Sequence, residues 1–220
     1  MPKRVQASHF PIGHAPVHVT YRLAGSIPQA ELKRLLRARD ERLRALNDRF
    51  ATVRTAAEKA LLVKEQFAAA AEFELSIDRA LHAIYTGDFY LQDPVVRGIV
   101  MDSWAALHRR GDICVIALCV MGNHVHVLLK APAGVEEVAI GPLFGRHKTY
   151  TARLANQHLG RVGEPFWVRH YFDRTVRSGK FLRALWYVVN NPVKAGLVVE
   201  WRDWAGTYVP PEYEGMLRPG

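Results

Sequence analysis

Two histidines separated by one valine, His124 and His126, stand inside the stretch MGNHVHVLLK. Side chains two apart on a strand project to one face. Both imidazoles would then point together, with Val125, Val127 and Leu129 turned to the other side. Two imidazoles one pleat apart can chelate a single divalent ion. The same pair also suits histidines hydrogen-bonded at a sheet surface, and His-x-His alone does not choose. Leu128 stands where a third alternating histidine would be, which disfavours hydrolases built on three of them. A second row follows later in the chain. Arg183, Tyr187 and Asn191 recur at helical spacing and would share one helix face. A tyrosine in such a row can be a nucleophile, or simply an amphipathic residue at a core edge. Asn191 precedes Pro192, with Gly196 following, which also suits the cap, first-turn proline and terminal glycine of a short helical turn.

The elements that must position these rows can be read along the chain. PVHVTYRLA alternates and is a first strand. Residues 29–83 are rich in Ala, Leu, Arg, Glu and Lys and read as long amphipathic helices. VVRGIVMDSWAALHRR has helical spacing. ICVIALCVM is a strand buried on both faces, and Gly122 and Asn123 turn it into HVHVLLK as a hairpin. VEEVAIGPLFGRHKTYTARLANQHLG is helical, with Gly141, Pro142 and Gly145 interrupting it. FWVRHYFDRTVR is a strand. SGKFLRALWYVVNN is a helix with Ser178 as its cap and Leu182, Leu185, Trp186 and Val189 on its buried side. Without the insertion of 29–83 the order is β-α-β-β-α-β plus a helix. That is an α+β, ferredoxin-like order with a mostly antiparallel sheet. Residues 1–220 are read as a single domain, with 205–220 as a C-terminal tail.

Composition sets outer limits. The 220 residues suffice for a sizeable core, and 49% are hydrophobic, which excludes a disordered chain. Thirty Lys and Arg against 21 Asp and Glu give a net charge of +9, a field that favours polyanions. Cys114 and Cys119 lie in one apolar run at odd spacing, so a regular strand turns them to opposite faces, where they cannot bridge. MPKRVQASHF is polar, and no apolar run has membrane-spanning length. The expectation is a cytoplasmic protein.

Taken together, CVMGNHVHVLLK, GRHKTYTARLANQHLG, EPFWVRHYFDRTVR and LWYVVNNPVKAGLV resemble the single-tyrosine HUH transposases, and more narrowly the group associated with repetitive extragenic palindromes. The resemblance runs from about Pro16 to about Trp204 and is weakest over the helices of 29–83. It implies that His124 and His126 are metal ligands, that Tyr187 is the nucleophile, and that Asn191, or the adjacent Asn190, is a third ligand. The family usually carries a proline before the Asn-His pair, where this chain has Gly122.

The implied chemistry is strand transfer. A divalent ion, Mg²⁺ or Mn²⁺, polarises a scissile phosphate while Tyr187 attacks it, giving a 5′-phosphotyrosine link and a free 3′-hydroxyl. The implied substrate is single-stranded DNA bearing hairpins, and the protein is expected to act as a monomer. Lys148, Arg153, Arg169, Arg174 and Arg177 follow the motif segments and could contact phosphate. A tyrosine nucleophile needs help to ionise at pH 7, from the metal or a nearby cation, for which Arg183 is a candidate. Trp167, Tyr171 and Phe172 are aromatic enough to stack on bases, though core packing suits at least two of them. Asp173 could orient a ligand or pair with Arg174. A DNA-binding protein of the same fold that has lost strand transfer is the alternative.

Overall fold

The computed structural model describes residues 11–83 and 87–217. The stretch MPKRVQASHF and the last three residues of the tail lie outside the described residues. The chain divides into two compact units, Met1–Ala24 with Phe89–Gly220, and Gly25–Asp88.

The first unit begins with β1 (Val17–Arg22). The second unit follows as two helices, α1 (Gln29–Thr52) and α2 (Ala56–Ala83). The break between them is written locally. The Thr55 hydroxyl accepts from the Glu58 amide at 3.2 Å, and the Glu58 carboxylate accepts from the Thr55 amide at 3.2 Å, a reciprocal cap. Leu46, Leu62 and Ala69 bury each other between the two helices, with Phe50 and Val53 against them.

The first unit resumes with α3 (Pro94–Arg109), capped by Asp93, whose side chain accepts from the amides of Val95 and Val96. Then come β2 (Cys114–Val120), β3 (His124–Lys130), α4 (Ile140–His158), β4 (Phe172–Thr175), α5 (Phe181–Val189), α6 (Asn191–Lys194), β5 (Thr207–Tyr208) and α7 (Pro211–Glu214). The sheet order is β4-β1-β3-β2-β5 and every pairing is antiparallel. This is the expected ferredoxin-like arrangement, with the tail adding a fifth strand at one edge. No helix among the described residues is long and apolar enough to cross a membrane.

Alternation along the strands makes two cores. Val17, Val19, Tyr21, Val125, Val127 and Leu129 face α3 and α4, in one cluster with Trp104 and Phe144. Ile116, Ala117, Cys119 and Leu128 form the other cluster with Leu185, Val188 and Val189 of α5. The two helical layers therefore lie on opposite faces, and the histidine face of β3 is the one that α5 covers.

Several local expectations need correction. The β2–β3 register slips between Val115 and Ala117. That bulge resets the alternation, so Cys114 and Cys119 both join the α5-side cluster rather than facing opposite ways. Both are free thiols, and burial pushes Cys119 up to about 12. The helix α5 starts at Phe181 behind Lys180, not at Ser178. Its buried residues are Leu185, Val188 and Val189, while Leu182 is 51% exposed. The strand of FWVRHYFDRTVR shrinks to four residues, Phe172–Thr175. Helix α4 runs unbroken through Gly141, Pro142 and Gly145. Its proline falls in the first turn, where amides have no partner inside the helix.

One buried network joins the α3–α4 layer to β1. The Trp104 indole N–H donates to the Tyr21 hydroxyl at 2.9 Å. That leaves the Tyr21 proton for Nε2 of His147 at 2.7 Å, and Nδ1–H of His147 for Ser103 Oγ at 2.8 Å. An imidazolium would oppose its own proton to that of Tyr21. Burial accordingly holds His147 down to about 3. The unfolded chain takes up this proton near pH 6.5 and the folded chain refuses it, so stability is lost as pH falls from about 6.5 toward 3. On the order of 5 kcal/mol is at stake. Urea midpoints measured at pH 7 and pH 4.5 should show a clear loss at the lower pH, and His147→Gln should flatten it.

A candidate metal centre beside a tyrosine helix

The hairpin turn sets where the histidines begin. The Met121 amide donates to the His124 carbonyl at 2.9 Å, the Leu91 amide to the Gly122 carbonyl at 3.2 Å, and the Leu23 amide to the Asn123 carbonyl at 3.0 Å. A Cβ on Gly122 would stand 2.9 Å from Phe89 Cδ1 and 3.0 Å from Gln92 Cγ. Lack of space therefore favours glycine at this position. Gly122→Ala should cost roughly 1–2 kcal/mol, and Gly122→Pro at least as much. A thermal melt should show each as a drop of several degrees.

From that turn His124 and His126 rise on the face that carries Leu128, and both are buried. The Nδ1 of His124 lies 2.6 Å from Asn123 Oδ1, an oxygen that can only accept, so this nitrogen carries the proton. The Nδ1 of His126 lies 3.0 Å from Thr20 Oγ1 and 3.2 Å from His18 Nε2. With the outer nitrogens engaged, the two Nε2 atoms face each other at 3.1 Å. Two lone pairs at that distance require a proton or a cation between them. Two imidazole nitrogens bound to one ion at about 2.1 Å and a right angle would stand about 3 Å apart. The outer-ring contacts are those that orient metal-bound histidines. The donor set therefore fits a divalent ion. Leu128, at the third alternating position, instead joins the apolar cluster of α5.

The same cluster lays Tyr187 alongside. Its ring meets that of His126 edge to face, with centroids 5.8 Å apart, and that of His18 at 5.4 Å. Lys194 places its ammonium 4.0 Å from the centre of the Tyr187 ring. Sequence reasoning missed both neighbours. Lys194 lies two helical turns past Tyr187, and His18 alternates with Thr20 on β1. Spacing could have found the first, but only strand pairing reveals the second.

Asn191 is fully buried. Its Nδ2 donates to the carbonyls of Tyr187 at 2.7 Å and Val188 at 3.2 Å. Those contacts fix the amide with Oδ1 turned away from the helix, and Oδ1 has no hydrogen-bond partner among the described residues. An orphaned buried acceptor suits an oxygen ligand. Asn190 is only half-buried.

The basic residues divide. Arg174 pairs across from His18, on the histidine face, and Phe172 pairs across from Thr20 on that face. Arg183 is exposed one turn before Tyr187, and Arg153, Arg169 and Arg177 are also exposed. Lys148 differs. Its ammonium donates to the Val168 carbonyl at 2.9 Å and sits over the rings of Tyr21 and Tyr171, and desolvation pulls it down to about 8. Trp167 donates to Thr151 Oγ1 at 2.9 Å, and Tyr171 stacks on Phe144 at 4.6 Å. Both are committed to the α4 side. Asp173 pairs across from Val19, on the face away from the histidines, so it does not orient them. In the second unit, Asp78 and His82 pair at 3.7 Å on α2. Both are metal-ligating types that the helical periodicity concealed.

Fold and site together define a ferredoxin-like α+β protein with a paired-histidine centre and one adjacent helical tyrosine. The model of the IS200-like transposase family matches residues 90–191, the stretch that holds the paired histidines, Tyr187 and Asn191. Among solved structures, a REP-associated tyrosine transposase bound to a REP hairpin matches with a TM-score of 0.52. The identity is 13%, and the match covers 97% of this chain and 88% of that one, a likeness of fold. No curated protein matches the chain.

Proposed function

We propose that this protein is a single-tyrosine transposase that nicks and rejoins hairpin-bearing, REP-like single-stranded DNA in the nucleoid, acting as a monomer. The observation that carries the reading is the Tyr187 ring lying against the His126 ring on the one sheet face where two Nε2 atoms converge. His124, His126 and Asn191 would hold Mg²⁺ or Mn²⁺. When bound, the ion withdraws charge from a scissile phosphate and orients it for in-line attack. The phenolic oxygen of Tyr187 forms the new bond to phosphorus as the bond to the 3′ oxygen breaks. The phenol proton passes to solvent and the 3′ oxygen takes one up, leaving a 5′-phosphotyrosine and a 3′-hydroxyl. No water enters, so the phosphodiester energy is kept for rejoining.

The surroundings support these roles. Arg174 and Phe172 share the histidine face, so a phosphate contact and a stacked base can both be offered beside the site. Arg183, Arg153, Arg169 and Arg177 extend exposed positive charge. Lys148 acts through the loop that it ties down. Lys194, more than Arg183, is the cation placed to favour the Tyr187 phenolate. Lys194→Met should slow adduct formation roughly tenfold with Mn²⁺ affinity unchanged, and Lys194→Arg should retain most of the rate.

The test is a covalent one. Labelled hairpin single-stranded DNA is incubated with the protein and Mn²⁺, and a denaturing gel reads any protein–DNA adduct. Adduct formation supports the reading. Specific binding without cleavage in any divalent metal would favour a DNA-binding protein that has lost strand transfer.

A further inference from the structure

His18, on β1, belongs to neither histidine motif. Its strand lies between β3 and β4 and is paired on both sides, so the side chain stands on a rigid element. The register sets it on the histidine face, across from Leu128 and Arg174. Its Nε2 is 3.2 Å from Nδ1 of His126, and the two rings stack with centroids 5.3 Å apart and planes within 16°. The ring also meets Tyr187 edge to face at 5.4 Å and 75°.

We infer that His18 is a positioning residue that sets both the metal ligand His126 and the nucleophile Tyr187. The inference rests on the function proposed above. If Nε2 of His126 ligates the ion, its proton must sit on Nδ1, so Thr20 Oγ1 and His18 Nε2 both accept there. A stacked acceptor does what a hydroxyl alone does not. It fixes the tautomer and also restrains rotation of the His126 ring, keeping Nε2 aimed at His124. The contact with Tyr187 limits the swing of the phenol, so the nucleophile and the ligand are indexed to the same strand. A tyrosine on a short helix would otherwise sample rotamers in which its oxygen misses an in-line approach.

The two contacts can be separated in the full-length protein. His18→Phe keeps a ring beside Tyr187 and removes the acceptor. His18→Gln keeps an acceptor and removes the ring. Calorimetric titration with Mn²⁺ reads the first contact, and single-turnover adduct formation at saturating Mn²⁺ reads the second. His18→Phe should bind Mn²⁺ about tenfold more weakly and react within about threefold of wild type once saturated. His18→Gln should bind Mn²⁺ within about threefold of wild type and form adduct about tenfold more slowly. Wild-type behaviour in both variants, or parallel loss of both readouts in each, would overturn the inference. A wild-type protein that binds Mn²⁺ but forms no adduct would remove the proposed reaction. The titration would then still decide the His126 half of the inference.

Discussion

Tyr187→Phe is expected to abolish covalent capture of hairpin DNA, a loss on the order of 10⁴-fold or more, while leaving metal and DNA binding intact. The substitution removes one oxygen, the only atom of that side chain that can bond to phosphorus. The structure indicates why the rest of the site should survive. The Tyr187 ring lies against His126, His18 and Lys194, and phenylalanine keeps those ring contacts. Mn²⁺ titration and gel-shift affinity should therefore stay within about threefold of wild type. Cleavage that persists in Tyr187→Phe would mean that water is the nucleophile, and the transesterification reading would fail.

The second large effect concerns the paired imidazoles. His124→Ala and His126→Ala should each weaken Mn²⁺ binding by more than about a hundredfold and bring adduct formation below detection. One imidazole with the Asn191 oxygen is a weak donor set for the ion, so the double variant should be little worse than either single one. The two should differ in their secondary cost. Loss of His124 removes one donor to Asn123 Oδ1, at 2.6 Å. Loss of His126 unseats contacts from both Thr20 and His18. His126→Ala should thus slow any residual reaction at very high Mn²⁺ more than His124→Ala does, because His18 then no longer ties Tyr187 to a ligand. Retained tight Mn²⁺ binding in either variant would place the metal elsewhere.

Much of this was legible in the residues. Period-two alternation put His124 and His126 on one face, and helical spacing put Tyr187 and Asn191 in one row, because both inferences depend only on local backbone geometry. The element order gave the ferredoxin-like sheet for the same reason. Local reading failed where tertiary contacts override it. The bulge between Val115 and Ala117 has no composition marker, yet it turns Cys114 to the side of Cys119. Ser178 has the right chemistry for a cap, but the chain turns through Gly179 at φ 72° and the helix starts later. Residues 207–208 are too short for a periodicity and become a strand only because β2 offers an open edge.

Sequence by itself determined the kinds of group available: two imidazoles on one strand, one tyrosine and one asparagine on one helix, and a basic surface. It also explained Leu128 only as a missing histidine. Tertiary structure decided what these groups are to each other. Because α3 and α4 cover one face of the sheet, α5 is left to cover the other, and Leu128 is where it docks. That docking sets Tyr187 against His126, and strand pairing brings in His18 from more than a hundred residues away in the chain. Gly122 reads as an oddity in the sequence. In the fold it is the position where Phe89 leaves no room for a side chain, because such close approaches are made by packing and not by local propensity.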